Sequence, residues 1–341
     1  MEYDRNRFQE LDALRGLAAA AVLLFHYTTR YESQFEFVGH PLVTIPYGYL
    51  GVQLFFMISG FVIFMTLHKT SRPLDFIISR FSRLYPAYWA CVLLTTGSIL
   101  VIGLPGKEPT ALQILVNMTM VQEVLHFKDV DGVYWTLLVE LMFYISMFSL
   151  FITGQLRRIF PILLVWLALA AVQIVLEKYT ALRIPYTVEM LLNLKYIPHF
   201  ALGMVFYHQR KNSSYSPTSL LVMIASVAVI ALSGELAATI ACFAFILLFH
   251  LFVHEQLRFL VTKPLLFLGT ISYPLYLLHE NIGFVAIKKL TEYGFNINAG
   301  ILLAASISLV LAAMVTRYVE IPAMRYIRNQ YRARATLLNT A

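Results

Sequence analysis

The chain has 341 residues, of which 59% are apolar types, 14% aromatic and 13% charged, with a mean hydropathy of +0.70 and a formal net charge of +7. A soluble domain carries roughly a quarter charged residues, and this much apolar surface cannot be hidden inside one water-soluble globule. The composition excludes an ordinary soluble enzyme, a disordered chain and a nucleic-acid binder, and leaves a polytopic all-α integral membrane protein.

Charged residues at the start (Asp4, Arg5, Arg7) lead straight into an apolar run with no small-residue cleavage site. That run is expected to be retained as a helix rather than removed as a signal peptide. A bilayer core takes about 20 apolar residues of helix. Ten stretches meet that measure, at 12–29, 48–67, 85–103, 133–153, 159–176, 188–207, 218–233, 236–253, 265–287 and 298–319. A shorter apolar stretch, 110–122, reads as an interfacial or re-entrant helix. Placing both termini in the cytoplasm puts seventeen Lys and Arg residues on inner segments and seven on outer ones, as the positive-inside rule requires. Acidic residues such as Glu36, Glu123, Asp129 and Asp131 fall on the outer side. Residues 1–341 show no repeat or linker and read as a single membrane domain. Cys91 and Cys242 lie in apolar stretches, where small buried side chains are expected, with neither a disulfide nor a metal site.

An ionisable group inside a membrane span is costly and is a functional candidate for that reason. The first span carries Asp12, Arg15 and His26. Arg15 and His26 are eleven residues apart, about three helical turns and roughly 16 Å on nearly the same face. Asp12 stands three residues before Arg15, within pairing reach. After the second span, Arg80 and Arg83 are spaced i, i+3, and two planar guanidiniums on one helical face suit a phosphate. Plain positive-inside charge explains them as well. Tyr85 and Trp89 follow at the membrane surface. The fourth span begins Val133-Tyr134-Trp135-Thr136 and carries Glu140, a carboxylate able to orient an imidazole, to accept a proton or to neutralise Arg15. In the ninth span Ser272, Tyr276, His279 and Glu280 fall mainly on one side around Pro274, which implies a kink. In the sixth, Lys195 and His199 read as structural.

These features fit two classes of protein. One is an acyl- or phosphoryl-transfer enzyme with a phosphorylated donor on cytoplasmic arginines and a deep His as base. The other is a transporter with a His/Glu proton relay.

Several segments resemble the family-3 membrane acyltransferases. They are Leu11-Asp12-Ala13-Leu14-Arg15-Gly16 with His26, the run Gly51 to Phe61 containing Ser59, and Arg80-Phe81-Ser82-Arg83-Leu84-Tyr85-Pro86. Trp135 to Glu140, Ser272 to His279 and Glu320-Ile321-Pro322 complete the set. The resemblance covers about residues 8–328 and is to the stand-alone type, without a periplasmic esterase-like domain. It implies an acyltransferase of the bacterial cytoplasmic (inner) membrane. Its acyl group, acetyl in most members, would pass from cytoplasmic acyl-CoA to a hydroxyl of a carbohydrate or glycolipid acceptor. On this reading His26, Glu140 and Asp12 are catalytic, and Arg15, Arg80, Arg83, Ser59 and Tyr85 hold the CoA donor. Trp135, Tyr276 and His279 are substrate or structural-polar candidates, and no metal or nucleic acid takes part. The alternative is a proton-coupled exporter or flippase of a saccharide lipid.

Overall fold

The computed structural model describes residues 8–35 and 39–340. Arg5, Arg7 and Glu36, assigned above to a side of the membrane, lie outside the described residues. The described chain is helical and contains no strand. The main helices are α1 (Gln9–Phe25), α2 (Gly51–Lys69), α3 (Pro73–Ile102), α4 (Ala111–Asn117), α5 (Trp135–Ile152), α6 (Ile159–Tyr179), α7 (Ile197–Asn212), α8 (Pro217–Leu232), α9 (Leu236–Val253), α10 (Lys263–Glu292), α11 (Ile297–Val315) and α12 (Ile321–Thr340).

Six stretches are long and apolar enough to cross a membrane: Gly48–Lys69, Pro73–Ile102, Gly132–Ile152, Gln155–Tyr179, Leu236–Val253 and Ile297–Arg334. In all but Gly48–Lys69, less than half of the apolar window is buried by protein. In Leu236–Val253, of mean hydropathy 2.5, only 22% of the window is buried. Such faces need lipid rather than water. The remaining four of the ten expected spans fall on α1, on α7 with the short helix before it, on α8 and on α10. The segment 188–207, expected as one helix, is broken. A short helix ends at Leu191 and α7 starts at Ile197, with Asn193 in the left-handed region at φ 53°. The 110–122 stretch contains the short helix α4.

The chain divides into two compact units. The first comprises residues 1–18, 50–70 and 138–266. Its core is the crossing of α2 and α7, which requires glycine on both helices. A Cβ at Gly60 would overlap the Phe200 carbonyl, and one at Gly203 the Met57 carbonyl. Phe61, Phe64, Phe249 and Phe252 are fully buried around it, with edge-on contacts such as Phe61 to Tyr207 at 5.5 Å.

The second unit comprises residues 19–49, 71–137 and 267–341. Here α3 packs along α12. Its 30 residues run unbroken through Pro86, so Arg80, Arg83 and Tyr85 share one helix. Two helical runs in this unit widen into π turns. One is His26–Arg30, directly after α1. The other is Thr316–Glu320, between α11 and α12. A π turn inserts an extra residue into the helical register and is frequent at functional sites. Hydrophobic periodicity gives no warning of it.

Loop 103–134 is held by side chains bonding to backbone. Asn117, fully buried, donates to the Lys128 carbonyl at 3.0 Å and accepts from the Val130 amide at 2.9 Å. Tyr88 donates to the Asn117 carbonyl at 2.6 Å, and Trp89 to that of Met118 at 2.9 Å.

Candidate active site

His26 opens the first π turn and is 9% exposed. Two groups of α10 meet it. His279 Nε2 lies 3.1 Å from His26 Nδ1, and Glu280 Oε2 lies 3.6 Å from His26 Nε2. The imidazoles are edge-on at 4.7 Å between centroids. His279 and Glu280 are 1% and 3% exposed. His279, expected here as a polar candidate on sequence grounds, thus stands at the His26 ring.

The surrounding carbonyls fix the proton positions. His279 Nδ1 faces the carbonyls of Tyr276 at 2.8 Å and Leu275 at 3.2 Å. Two acceptors there require an N–H, so a neutral His279 has its lone pair on Nε2. His26 Nδ1 lies between that lone pair and the Val22 carbonyl at 2.9 Å. It is therefore also an N–H, and it donates to both. A neutral His26 carries its remaining lone pair on Nε2, the nitrogen that faces Glu280. The arrangement assigns a base atom and puts a carboxylate where the imidazolium charge would form.

A second layer holds this pair. Tyr27 donates to the His279 carbonyl at 2.8 Å and bonds Ser308 Oγ at 2.7 Å. Its ring fills the space over Gly283, where a Cβ would collide with it. Asp131, fully buried, accepts from the Asn281 amide at 3.1 Å and the Val133 amide at 3.3 Å. Burial, and then the nearby Glu280 charge, pushes the Asp131 carboxyl well above the usual carboxylate range. Between the two acids lies Gly132. A Cβ there would stand 2.5 and 2.6 Å from the Glu280 oxygens, so glycine is what lets the carboxylate lie against this backbone. Thr136 donates to the Tyr276 hydroxyl at 3.1 Å.

The other expected residues have partners of their own. Glu140 accepts from Ser59 Oγ at 2.9 Å and from the Tyr144 hydroxyl, all within the first unit. The carboxylate at the His26 ring is that of Glu280. Asp12 is buried and Arg15 half-buried on the first-unit part of α1. Trp135 is half-buried at the start of α5. On α3, Arg83 pairs with the buried Glu320 of the second π turn and lies 5.9 Å from the Tyr273 ring. Arg80 donates to Ser79 Oγ at 3.0 Å. Tyr85 stacks on Phe81 at 4.9 Å and donates to the Thr119 carbonyl at 3.1 Å.

Sequence reasoning singled out Glu280 as an intramembrane charge but gave it no role. It took Asp131 for an outer-side loop acid, yet that side chain is fully buried. The only available signals were the adjacency of Glu280 to His279 and the Asp-Gly step before α5. Among the described residues no cluster of His, Cys, Asp and Glu could hold a metal ion.

A family model described as acyltransferase domain, of the third acyltransferase family, matches residues 8–318. The chain belongs to this acyltransferase family. The Glu320-Ile321-Pro322 motif falls just beyond the matched residues. The chain is 31% identical over 160 residues to protein 2 in the picA locus of Rhizobium radiobacter, covering 46% of this chain and 73% of that protein. It is 28% identical over 172 residues to BcsY of Komagataeibacter xylinus, named as a membrane-bound transacylase, covering 46% of this chain and 40% of that one. It is also 24% identical over 308 residues to ORF330 of Acidianus two-tailed virus, named as an acetyltransferase, covering 83% and 87%. No solved structure matches. The protein is a membrane acyltransferase.

Proposed function

We propose that this acyltransferase moves an acyl group, acetyl in the first instance, from cytoplasmic acyl-CoA to a hydroxyl of a cell-surface or lipid-linked saccharide. It would do so in the bacterial inner membrane, with ten spans and both termini inside. The observation that supports this reading best is the His26–His279–Glu280 arrangement, which leaves His26 Nε2 as a buried base facing a carboxylate.

In the proposed reaction an acceptor hydroxyl docks within hydrogen-bond reach of His26 Nε2, about 2.6–3.2 Å. Its oxygen attacks the thioester carbonyl carbon while its proton passes to Nε2. The carbon–sulfur bond breaks, the thiolate takes the proton from the imidazolium, and the products are an ester and free CoA. Glu280 stabilises the imidazolium and His279 holds the ring. Arg15, Arg80 and Arg83 anchor the CoA phosphates, with Ser59 and Tyr85 along the donor. Trp135 and Tyr276 serve the acceptor or its surroundings, while Glu140 and Asp12 hold neighbouring polar groups.

The test is acceptor-dependent release of CoA thiol by purified protein in liposomes. Wild type is expected to release thiol and His26→Ala to fall to background while still inserting and eluting as a single species. Flux of a saccharide lipid without thiol release, or full acylation by the His26→Ala protein, would overturn the proposal.

A further inference from the structure

A groove runs along the hairpin of α5 and α6, within the first unit. Pro161, Ile162, Val165, Trp166 and Leu169 of α6 form one wall, and Ser146 and Leu150 of α5 the other. The α6 residues recur at three and four positions, which puts them on one helical face. The Trp166 indole donates to the Leu192 carbonyl at 2.5 Å, and Leu192 joins the lining. The groove offers about 560 Å³, within the range of small-molecule sites.

Charge in this groove is confined to one end. Gln155 and Arg158, in the turn between the two helices, line its mouth. Arg158 is exposed, and no carboxylate among the described residues pairs with it. Arg157 beside it is exposed as well. From Arg158 to Leu169 the helix rises roughly 16 Å, about half of the ~30 Å hydrocarbon core of a bilayer. Both helices lie in stretches long and apolar enough to cross a membrane, and Val165 is 64% exposed in its own. The groove thus has the length of one leaflet, an unpaired cation at its polar end and apolar walls beyond. A guanidinium at that boundary matches phosphate oxygens with its planar fork, and basic residues there attract anionic headgroups.

We propose that the α5–α6 groove binds an anionic phospholipid of the leaflet on the Arg158 side. One acyl chain lies along the groove past Val165 and Trp166, and the phosphate sits on Arg158. In the orientation proposed above this is the cytoplasmic leaflet, but the site depends neither on that orientation nor on the acyl-transfer reading.

The experiment uses the full-length protein in phosphatidylcholine bilayers. Phosphatidylglycerol or phosphatidylcholine brominated on one acyl chain is added in increasing proportion. Bromine quenches tryptophan emission on contact, and subtracting each protein's own Trp166→Phe counterpart isolates Trp166 from Trp89 and Trp135. In wild type, brominated phosphatidylglycerol is expected to quench Trp166 at about fivefold lower proportion than brominated phosphatidylcholine, the equivalent of about 1 kcal/mol for one basic residue at a membrane surface. Arg158→Gln should abolish that preference. Val165→Phe keeps the charge but fills the seat of the chain, and should cut the preference to below twofold. Arg317→Gln, which removes an exposed charge in the second unit, should leave it unchanged. Thermal unfolding of each variant in phosphatidylcholine alone separates lost binding from lost fold. Equal quenching of wild type by the two lipids would overturn the proposal. So would a full preference in Val165→Phe, because headgroup attraction to surface charge would then suffice. A loss in Arg317→Gln equal to that in Arg158→Gln would overturn it for the same reason. Quenching by neither lipid, in a protein that elutes as a dimer, would show the groove covered by a second copy and overturn it too.

Discussion

Glu280→Gln tests the proposed reaction most directly, because it removes a charge at nearly constant shape. Glu280 Oε2 is 3.6 Å from His26 Nε2. At that separation and an effective dielectric of about 20, its attraction for an imidazolium is about 4 to 5 kcal/mol. The amide keeps a dipole and the site relaxes, so about half of this is expected to reach the transition state. Since ~1.4 kcal/mol is tenfold in rate, the loss in kcat is about 30- to 60-fold. The assay is single-turnover thiol release at saturating acyl-CoA and acceptor, with the donor KM measured in parallel. The loss should fall on kcat with little change in donor KM, because the carboxylate interacts with a charge present only during transfer. In a His26→Ala background the same substitution should cost nothing further, because the two groups act as a unit. A Glu280→Gln protein that folds normally and keeps kcat within about threefold of wild type would refute the reasoning. So would a full additional loss in the double variant.

Two further outcomes concern stability. Gly203→Ala places a methyl group against the Met57 carbonyl at the α2–α7 crossing; it should destabilise the first unit by about 3 kcal/mol and lower the thermal midpoint in detergent, whereas Gly97→Ala, in α3 with nothing within 4 Å, should be neutral or slightly stabilising. Asp129 is driven up to about 8, first by burial and then by the neighbouring Glu123, against a hydrogen bond from Gln122. Its raised folded value makes the protonated carboxyl the favoured form, so its contribution is complete below about pH 4 and is lost as pH rises toward 8. Asp129→Asn should therefore match wild type in thermal midpoint near pH 4 and exceed it near pH 8.5, and a gap of the same size at both pH values would show that Asp129 does not titrate between them.

Much of the site was visible as chemistry before it was visible as geometry. His26 and His279 stand out in sequence because imidazoles are out of place in apolar runs, and the structure brings their rings together. The carboxylate partner was not readable. Glu140 and Glu280 look alike in sequence, each one charge in an apolar span. Only the fold gives Ser59 and Tyr144 to the first and His26 to the second. Arg83 stood out as a cation, but its partner Glu320 lies 237 residues away in the chain. Asp131 read as a loop acid because its neighbours Lys128, Asp129 and Gly132 are polar or small, and nothing local announces that Asn281 will bury it.

Composition by itself determined the class of environment, because free energy of transfer depends on how much apolar surface there is and hardly on its arrangement. Spacing determined which residues share a helix face, because helical geometry is local. Pairing was decided by the tertiary structure alone. Whether His26 meets Glu140 or Glu280 depends on where separate helices cross and where a π turn shifts the register. Those crossings are set by contacts such as Gly132 against Glu280 and Gly283 under Tyr27, between residues far apart in the chain.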